Sequence, residues 1–159
     1  MKVLTLILTF CIIVAFSQAR PIATKPQTIE SLKLNQTQQK KAGGCSYGLV
    51  ISTSCSSPLS TADQIDLSFG DAYGTQVYVP SLNELASGLF EACDLNTFEI
   101  TGPCTTNQIC YLYLSRTGPD GWMPEIATVS DSMSRTFTVY YDNYIPDGEW
   151  YGFNSCIRV

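Results

Sequence analysis

From Cys45 onward the apolar residues fall on alternate positions, a period of two that suits strands and not helices. Tyr47, Leu49 and Ile51 share one side of a first strand. Ile65, Leu67 and Phe69 share one side of a second, which ends at the turn sequence Gly70-Asp71-Ala72-Tyr73-Gly74. Val77 and Val79 follow and stop at Pro80, and Phe98 and Ile100 mark a fourth strand ended by Gly102-Pro103. Ile109 to Leu114 is apolar on both sides, the pattern of a central strand. Ile126 to Val129, the alternation Phe137, Val139, Tyr141, and Trp150 to Phe153 complete a set of eight. Ser81-Leu82-Asn83-Glu84 has the form of a capping box, but Gly88 limits any helix there to a turn or two. Short strands separated by turn signals predict an all-β fold, an eight-stranded antiparallel β-sandwich.

The first 44 residues lack this pattern. Lys2 precedes an apolar run from Val3 to Phe16, followed by the small residues Ser17 and Ala19 around Gln18. That run is shorter than the ~20 residues a membrane span needs. It predicts a secretory signal peptide over 1–19. Residues 20–44 carry Arg20, Lys25, Lys33, Lys40 and Lys41 against Glu30, with no aromatic residue, and predict a disordered basic arm. The sequon Asn35-Gln36-Thr37 makes Asn35 a glycosylation acceptor within it. Residues 45–159 form the domain. No second apolar stretch of span length follows, so the chain is expected to be secreted and extracellular, with no transmembrane span. Thirteen acids against Arg116, Arg135 and Arg158 argue against a nucleic-acid partner.

Cys11 leaves with the signal peptide, so Cys45, Cys55, Cys93, Cys104, Cys110 and Cys156 imply three disulfides, with fifteen connectivities open. No C-x-x-C pair and no histidine support zinc. If successive strands alternate in direction, loops 54–63, 80–95, 116–125 and 142–148 gather at one end. The turns 70–74, 102–108 and 131–134 then gather at the other. Cys45 opens the first strand and Cys156 closes the last, which favours a bridge between them. Cys93 and Cys104 flank one strand, about 11 residues at ~3.3 Å each, beyond the ~6 Å that a disulfide spans. Cys104 with Cys110 closes a hairpin, leaving Cys55 with Cys93.

Histidine is absent from the whole chain and lysine from the domain, so a serine or cysteine nucleophile has only carboxylates to activate it. A carboxylate pair running glycoside hydrolysis stays open as an alternative, although no spacing singles one out. The long-loop end is richer. It gathers Asp63, Glu84, Glu91, Asp94, Asp120, Glu125, Asp142 and Asp147, beside Trp122 and Tyr144. Such carboxylates suit Ca²⁺, which takes six to eight oxygen ligands. Asp63, Asp94 and Asp120 are the candidate ligands, and Trp122 and Tyr144 the candidate partner contacts. The competing readings are solvated loop acids, and a Trp122 that plugs the rim of the sandwich.

Several strings in the domain are distinctive. They include Phe69-Gly70-Asp71-Ala72-Tyr73-Gly74, Phe90-Glu91-Ala92-Cys93, Ile100-Thr101-Gly102-Pro103-Cys104, Gly118-Pro119-Asp120-Gly121-Trp122 and Trp150-Tyr151-Gly152-Phe153-Asn154. Together they resemble the plant embryo-specific proteins, a small secreted family. That family in turn is similar to a divergent PLAT (lipoxygenase-homology) domain. The resemblance implies an eight-stranded sandwich used for docking to membranes or proteins, and loop carboxylates that bind calcium in some PLAT domains. Unlike those docking domains, residues 45–159 carry six cysteines, and the chain is expected to act without an attached catalytic domain. The expectation is a non-catalytic binding module of embryo or seed development. It would contact an extracellular protein, glycan or membrane lipid through its long-loop end. A small hydrolase and a structural, seed-deposited protein are the alternatives.

Overall fold

The computed structural model describes residues 26–29, 31–32, 44–85 and 88–156. Among the described residues nine strands carry the fold: β1 (Gln27–Ile29), β2 (Gly44–Thr53), β3 (Gln64–Gly70), β4 (Gln76–Val79), β5 (Leu95–Pro103), β6 (Tyr111–Thr117), β7 (Pro124–Ser130), β8 (Thr136–Tyr140) and β9 (Trp150–Asn154). They form two antiparallel sheets, ordered β1-β9-β6-β3-β4 and β5-β2-β7-β8. The predicted alternations hold. Tyr47, Leu49 and Ile51 face Ile65, Leu67 and Phe69 across the core, with Val77, Phe98, Ile100, Leu112, Leu114, Ala127, Val129 and Val139. Strand β6, expected to be central, lies in the middle of the five-stranded sheet and is buried on both faces from Leu112 to Arg116.

Three expectations are corrected. The 20–44 arm is not wholly without structure: β1 pairs with the free edge of β9, Thr28 opposite Tyr151. Gln27 and Thr28 are exposed, so β1 is held by backbone hydrogen bonds to an edge that would otherwise be unpaired. Most of the rest of the arm, including Asn35, and the expected signal peptide over 1–19 lie outside the described residues. The capping box does not form. Ser81 is left-handed (φ 51°) ahead of a single 3₁₀ turn, Leu82–Glu84, and makes no side-chain cap. Its backbone N–H donates instead to Asp66 at 2.9 Å.

The disulfides are the third correction. Cys55 pairs with Cys93, but Cys45 pairs with Cys104 and Cys110 with Cys156. The reason is sheet membership. The first and last strands of the predicted set, β2 and β9, lie in different sheets. Each sulfur instead meets one at the end of the neighbouring strand: Cys45 stands opposite Gly102 in the β2–β5 ladder. Tyr111, just after Cys110, stands opposite Asn154 in the β6–β9 ladder.

Candidate functional site

The expected clustering of loops is present. Ile145 N–H donates to the Trp122 carbonyl (3.1 Å) and Ala92 N–H to the Leu59 carbonyl (3.2 Å). The Tyr144 hydroxyl donates to the Ser56 carbonyl at 3.2 Å. At the centre of this end lies an ion pair. Arg116, on β6, reaches Asp63 at 2.5 Å, and both side chains are buried. The Asp63 carboxylate also accepts the backbone N–H groups of Asp120 (3.0 Å) and Gly121 (2.9 Å). Arg116 donates in addition to the carbonyls of Ile145 (3.0 Å) and Gly118. Three loops therefore converge on one buried pair. Gly118 is required there: its φ is +144°, and a Cβ would stand 2.1 Å from an Asp63 oxygen.

Burial pushes the Asp63 carboxyl up, but the Asp120 N–H, the Arg116 guanidinium and the Gly121 N–H together pull it below the ordinary value. Its two oxygens are thus engaged by three donors. Asp120 accepts the Ala62 N–H at 2.8 Å. Asp94 instead accepts the Asn96 amide at 2.7 Å, beside the Cys55–Cys93 bridge. The structure brings Asp63 and Asp120 together and leaves Asp94 apart. Among the described residues no group of three carboxylates or thiols is arranged to hold a metal ion. The expected calcium ligands Asp63, Asp94 and Asp120 are therefore not assembled as a set, because the central carboxylate is spent on pinning loops.

Of the two readings of Trp122, the rim plug holds and the partner contact does not. Trp122 is 0% exposed, its indole N–H donates to Thr53 at 3.1 Å, and its ring centroid lies 4.9 Å from that of Phe90. It plugs the rim and is unavailable to a partner. Tyr144 stays half exposed, as a partner contact needs. What the sequence reading missed are leucines. Leu59 is 86% and Leu95 63% exposed. Among the described residues seven large apolar side chains are more than half exposed, and five of them, Leu59, Leu85, Leu95, Tyr140 and Tyr144, belong to the long-loop end. Leu59 and Leu85 lie in loops, which carry no periodic signal, and Leu95 is the outward first residue of β5, so their meaning comes from sharing this end with Tyr144.

The charge around them is one-sided. The two arginines of the described domain are engaged by acids, Arg116 by Asp63 and Arg135 by Asp131 at 2.7 Å. Glu84, Glu91, Asp142 and Asp147 are exposed and Asp94 and Glu149 half-buried, and none of them is paired with a described arginine.

The other end has its own knot. One oxygen of the buried Asp71 accepts the N–H groups of Tyr73 and Thr75, both at 3.0 Å. The other accepts the Thr106 N–H (2.9 Å) and hydroxyl (3.1 Å) and the Asn107 N–H (3.3 Å). Burial raises the Asp71 carboxyl and these donors more than offset it, leaving the carboxyl below its ordinary value.

Solved structures share the architecture. A LOX crystal structure carrying a 413–417 deletion and an I805W substitution superposes with a TM-score of 0.59 over 71% of this chain at 17% identity. The chain spans only 17% of that protein's length. Alpha toxin from Clostridium absonum gives 0.56 over 74% of this chain and 34% of its own, at 15% identity. At such identities the likeness is one of fold, a PLAT-like sandwich. Sequence relatives are much nearer. Embryo-specific protein ATS3A of Arabidopsis thaliana is 46% identical over 147 residues, covering 92% of this chain and 81% of its own. Embryo-specific protein ATS3B of the same plant is 47% identical over 131 residues, covering 82% and 68%. The family model described as embryo-specific protein 3 (ATS3) matches residues 31–156, from just after β1 to the last disulfide, and the chain belongs to that family.

Proposed function

We propose that this chain is a secreted, non-catalytic docking module of embryo or seed development. Its long-loop end would hold a protein surface that is basic and partly apolar. The observation that carries the reading is the exposure of Leu59, Leu85 and Tyr144 on loops of an end pinned by Asp63, Arg116 and a disulfide, with Leu95 and Tyr140 exposed where β5 and β8 meet those loops. Exposed apolar side chains gathered on a rigid rim are how interaction surfaces are built. The surrounding acids favour a basic protein over an anionic lipid or nucleic acid. The developmental setting rests on the names of the relatives.

Hydrolysis receives less support. A glycosidase acid needs its carboxyl raised, whereas Asp63, Asp71 and Asp131 are each held below the ordinary value. The test is capture from seed extracellular fluid with the full chain and with a Leu59→Asp, Leu95→Asp double variant. Both leucines are exposed, so the variant should melt with the parent. A partner retained by the parent, lost by the variant and weakened by added salt is the expected result. Identical capture by both proteins would remove the long-loop end from the reading.

A further inference from the structure

At the opposite end of the sandwich a groove of ≈ 490 Å³ opens between the Gly70–Gly74 turn, the loop after β5 and the ends of β8 and β9. That volume is within the ~300–1,000 Å³ of small-ligand sites. Its walls carry Tyr73, Ile109 and Phe137 as apolar surface, and Asn107, Gln108 and Ser155 as polar groups. None of its lining residues is charged. We propose that this groove binds a short neutral oligosaccharide, with a pyranose ring stacked on Tyr73.

The chemistry of the lining selects the ligand. Tyr73 is 71% exposed, although it sits on a turn whose backbone is tied down at Tyr73 and Thr75 by the Asp71 carboxylate. A bare ring on a fixed backbone serves no packing purpose in the fold. Its electron-rich face attracts the C–H face of a sugar ring. The amide of Asn107 takes the Gln108 N–H on its oxygen (2.8 Å), and the exposed Gln108 amide offers a donor and an acceptor together. Paired donors and acceptors without charge match vicinal hydroxyls. They do not match a phosphate, which would want cations, or an amine, which would want a carboxylate. The excess of acids elsewhere on the domain further disfavours a uronic or sulfated sugar.

The walls are also pre-set. The second Asp71 oxygen holds Thr106 and Asn107, so one buried carboxylate fixes the backbone that carries both the stacking ring and the amide wall. The third wall is held by the Cys110–Cys156 bridge and by Ser155, whose N–H (2.8 Å) and hydroxyl (3.0 Å) both donate to the Cys110 carbonyl. A site fixed before binding loses little entropy when it is filled. The groove is distinct from the long-loop end, so this inference stands or falls apart from the docking reading.

The test is calorimetric titration of the full, disulfide-intact chain with cellohexaose, xylohexaose and mannohexaose, and with hexagalacturonate as the charged control. Amide chemical shifts follow in parallel. The expected result is saturable binding of at least one neutral hexasaccharide, with shifts at residues 72–73, 107–110 and 155–156. Tyr73→Ala should weaken it at least tenfold, Gln108→Ala severalfold, and hexagalacturonate should bind at least tenfold more weakly. Leu59→Asp should leave it unchanged. No saturable binding of any neutral sugar at millimolar concentration would overturn the proposal. So would full affinity in Tyr73→Ala, or shifts confined to the long-loop end.

Discussion

Asp63 and Arg116 are 53 residues apart in the chain and 2.5 Å apart in space, and between them they hold the backbone of three loops. Removing one partner of a buried pair strands the other charge, at a cost of about 3–5 kcal/mol. Asp63→Ala should lower the urea stability by that order. A loss typical of a surface pair, ~1 kcal/mol or less, would mean that the pair does not organise this end.

Acid should destabilise the domain through Asp63, Asp71 and Asp131. Their folded carboxyls lie below the ordinary 3.8, so the unfolded chain takes up protons first. Their contribution is fully present above pH 3.8 and is lost as pH falls through the lower folded values. Urea midpoints measured across the acid range should fall below that point, and Asp71→Asn should flatten the slope. A midpoint that stays constant into strong acid would contradict this.

At the alkaline side the sign reverses. Tyr78 is pushed up to about 12 by burial, then by the Asp66 carboxylate that accepts its hydroxyl. Tyr111 is pushed up to about 12, chiefly by burial. Their contribution is present below the ordinary 10.0 and lost as pH rises toward about 12. An ultraviolet phenolate titration should show a late class, and Asp66→Asn should make Tyr78 ionise earlier while burial still holds it above the ordinary value.

Tyr141 presents the opposite opportunity. Its hydroxyl is buried with no hydrogen-bond partner among the described residues, and its ring lies 6.0 Å from that of Tyr151. Tyr141→Phe removes the unsatisfied oxygen and keeps the ring. Thermal and urea unfolding should show a gain of about 1 kcal/mol. A loss of the same size would show that the hydroxyl is hydrogen-bonded after all.

Peptide mapping without reduction should recover Cys45 with Cys104, Cys55 with Cys93, and Cys110 with Cys156. Chain-entropy arithmetic gives each loop about 4 kcal/mol. Replacing Cys110 and Cys156 together by alanine should therefore cost several times more than Tyr73→Ala, which touches only an exposed ring.

The strands were legible because a pleat writes itself into the sequence: every second residue from Tyr47 to Ile51 and from Ile65 to Phe69 had to be apolar. Strand direction was legible too, which is why the loop ends separated correctly. Sheet membership was not. Alternation says which side of a strand is buried and nothing about which strand lies beside it, so Cys45 and Cys156 looked like neighbours. For the same reason Asp63 looked like a candidate calcium ligand on a par with Asp94 and Asp120. Its difference lies in Arg116, Asp120 and Gly121, none of them local. The strand β1 left no trace because it contributes backbone and little apolar surface.

All three disulfides close within a sheet: two staple β2 to β5 at opposite ends, and one staples β6 to β9. None crosses from layer to layer. Mechanically the domain is two riveted plates joined by the connecting loops, with apolar contact and hydrogen bonds holding the plane between them. Heat should open that plane and leave the rivets in place, so the melted chain keeps β2 beside β5 and β6 beside β9 and reassembles quickly on cooling. A thiol reductant attacks the plates themselves, and should turn a reversible melt into an irreversible one.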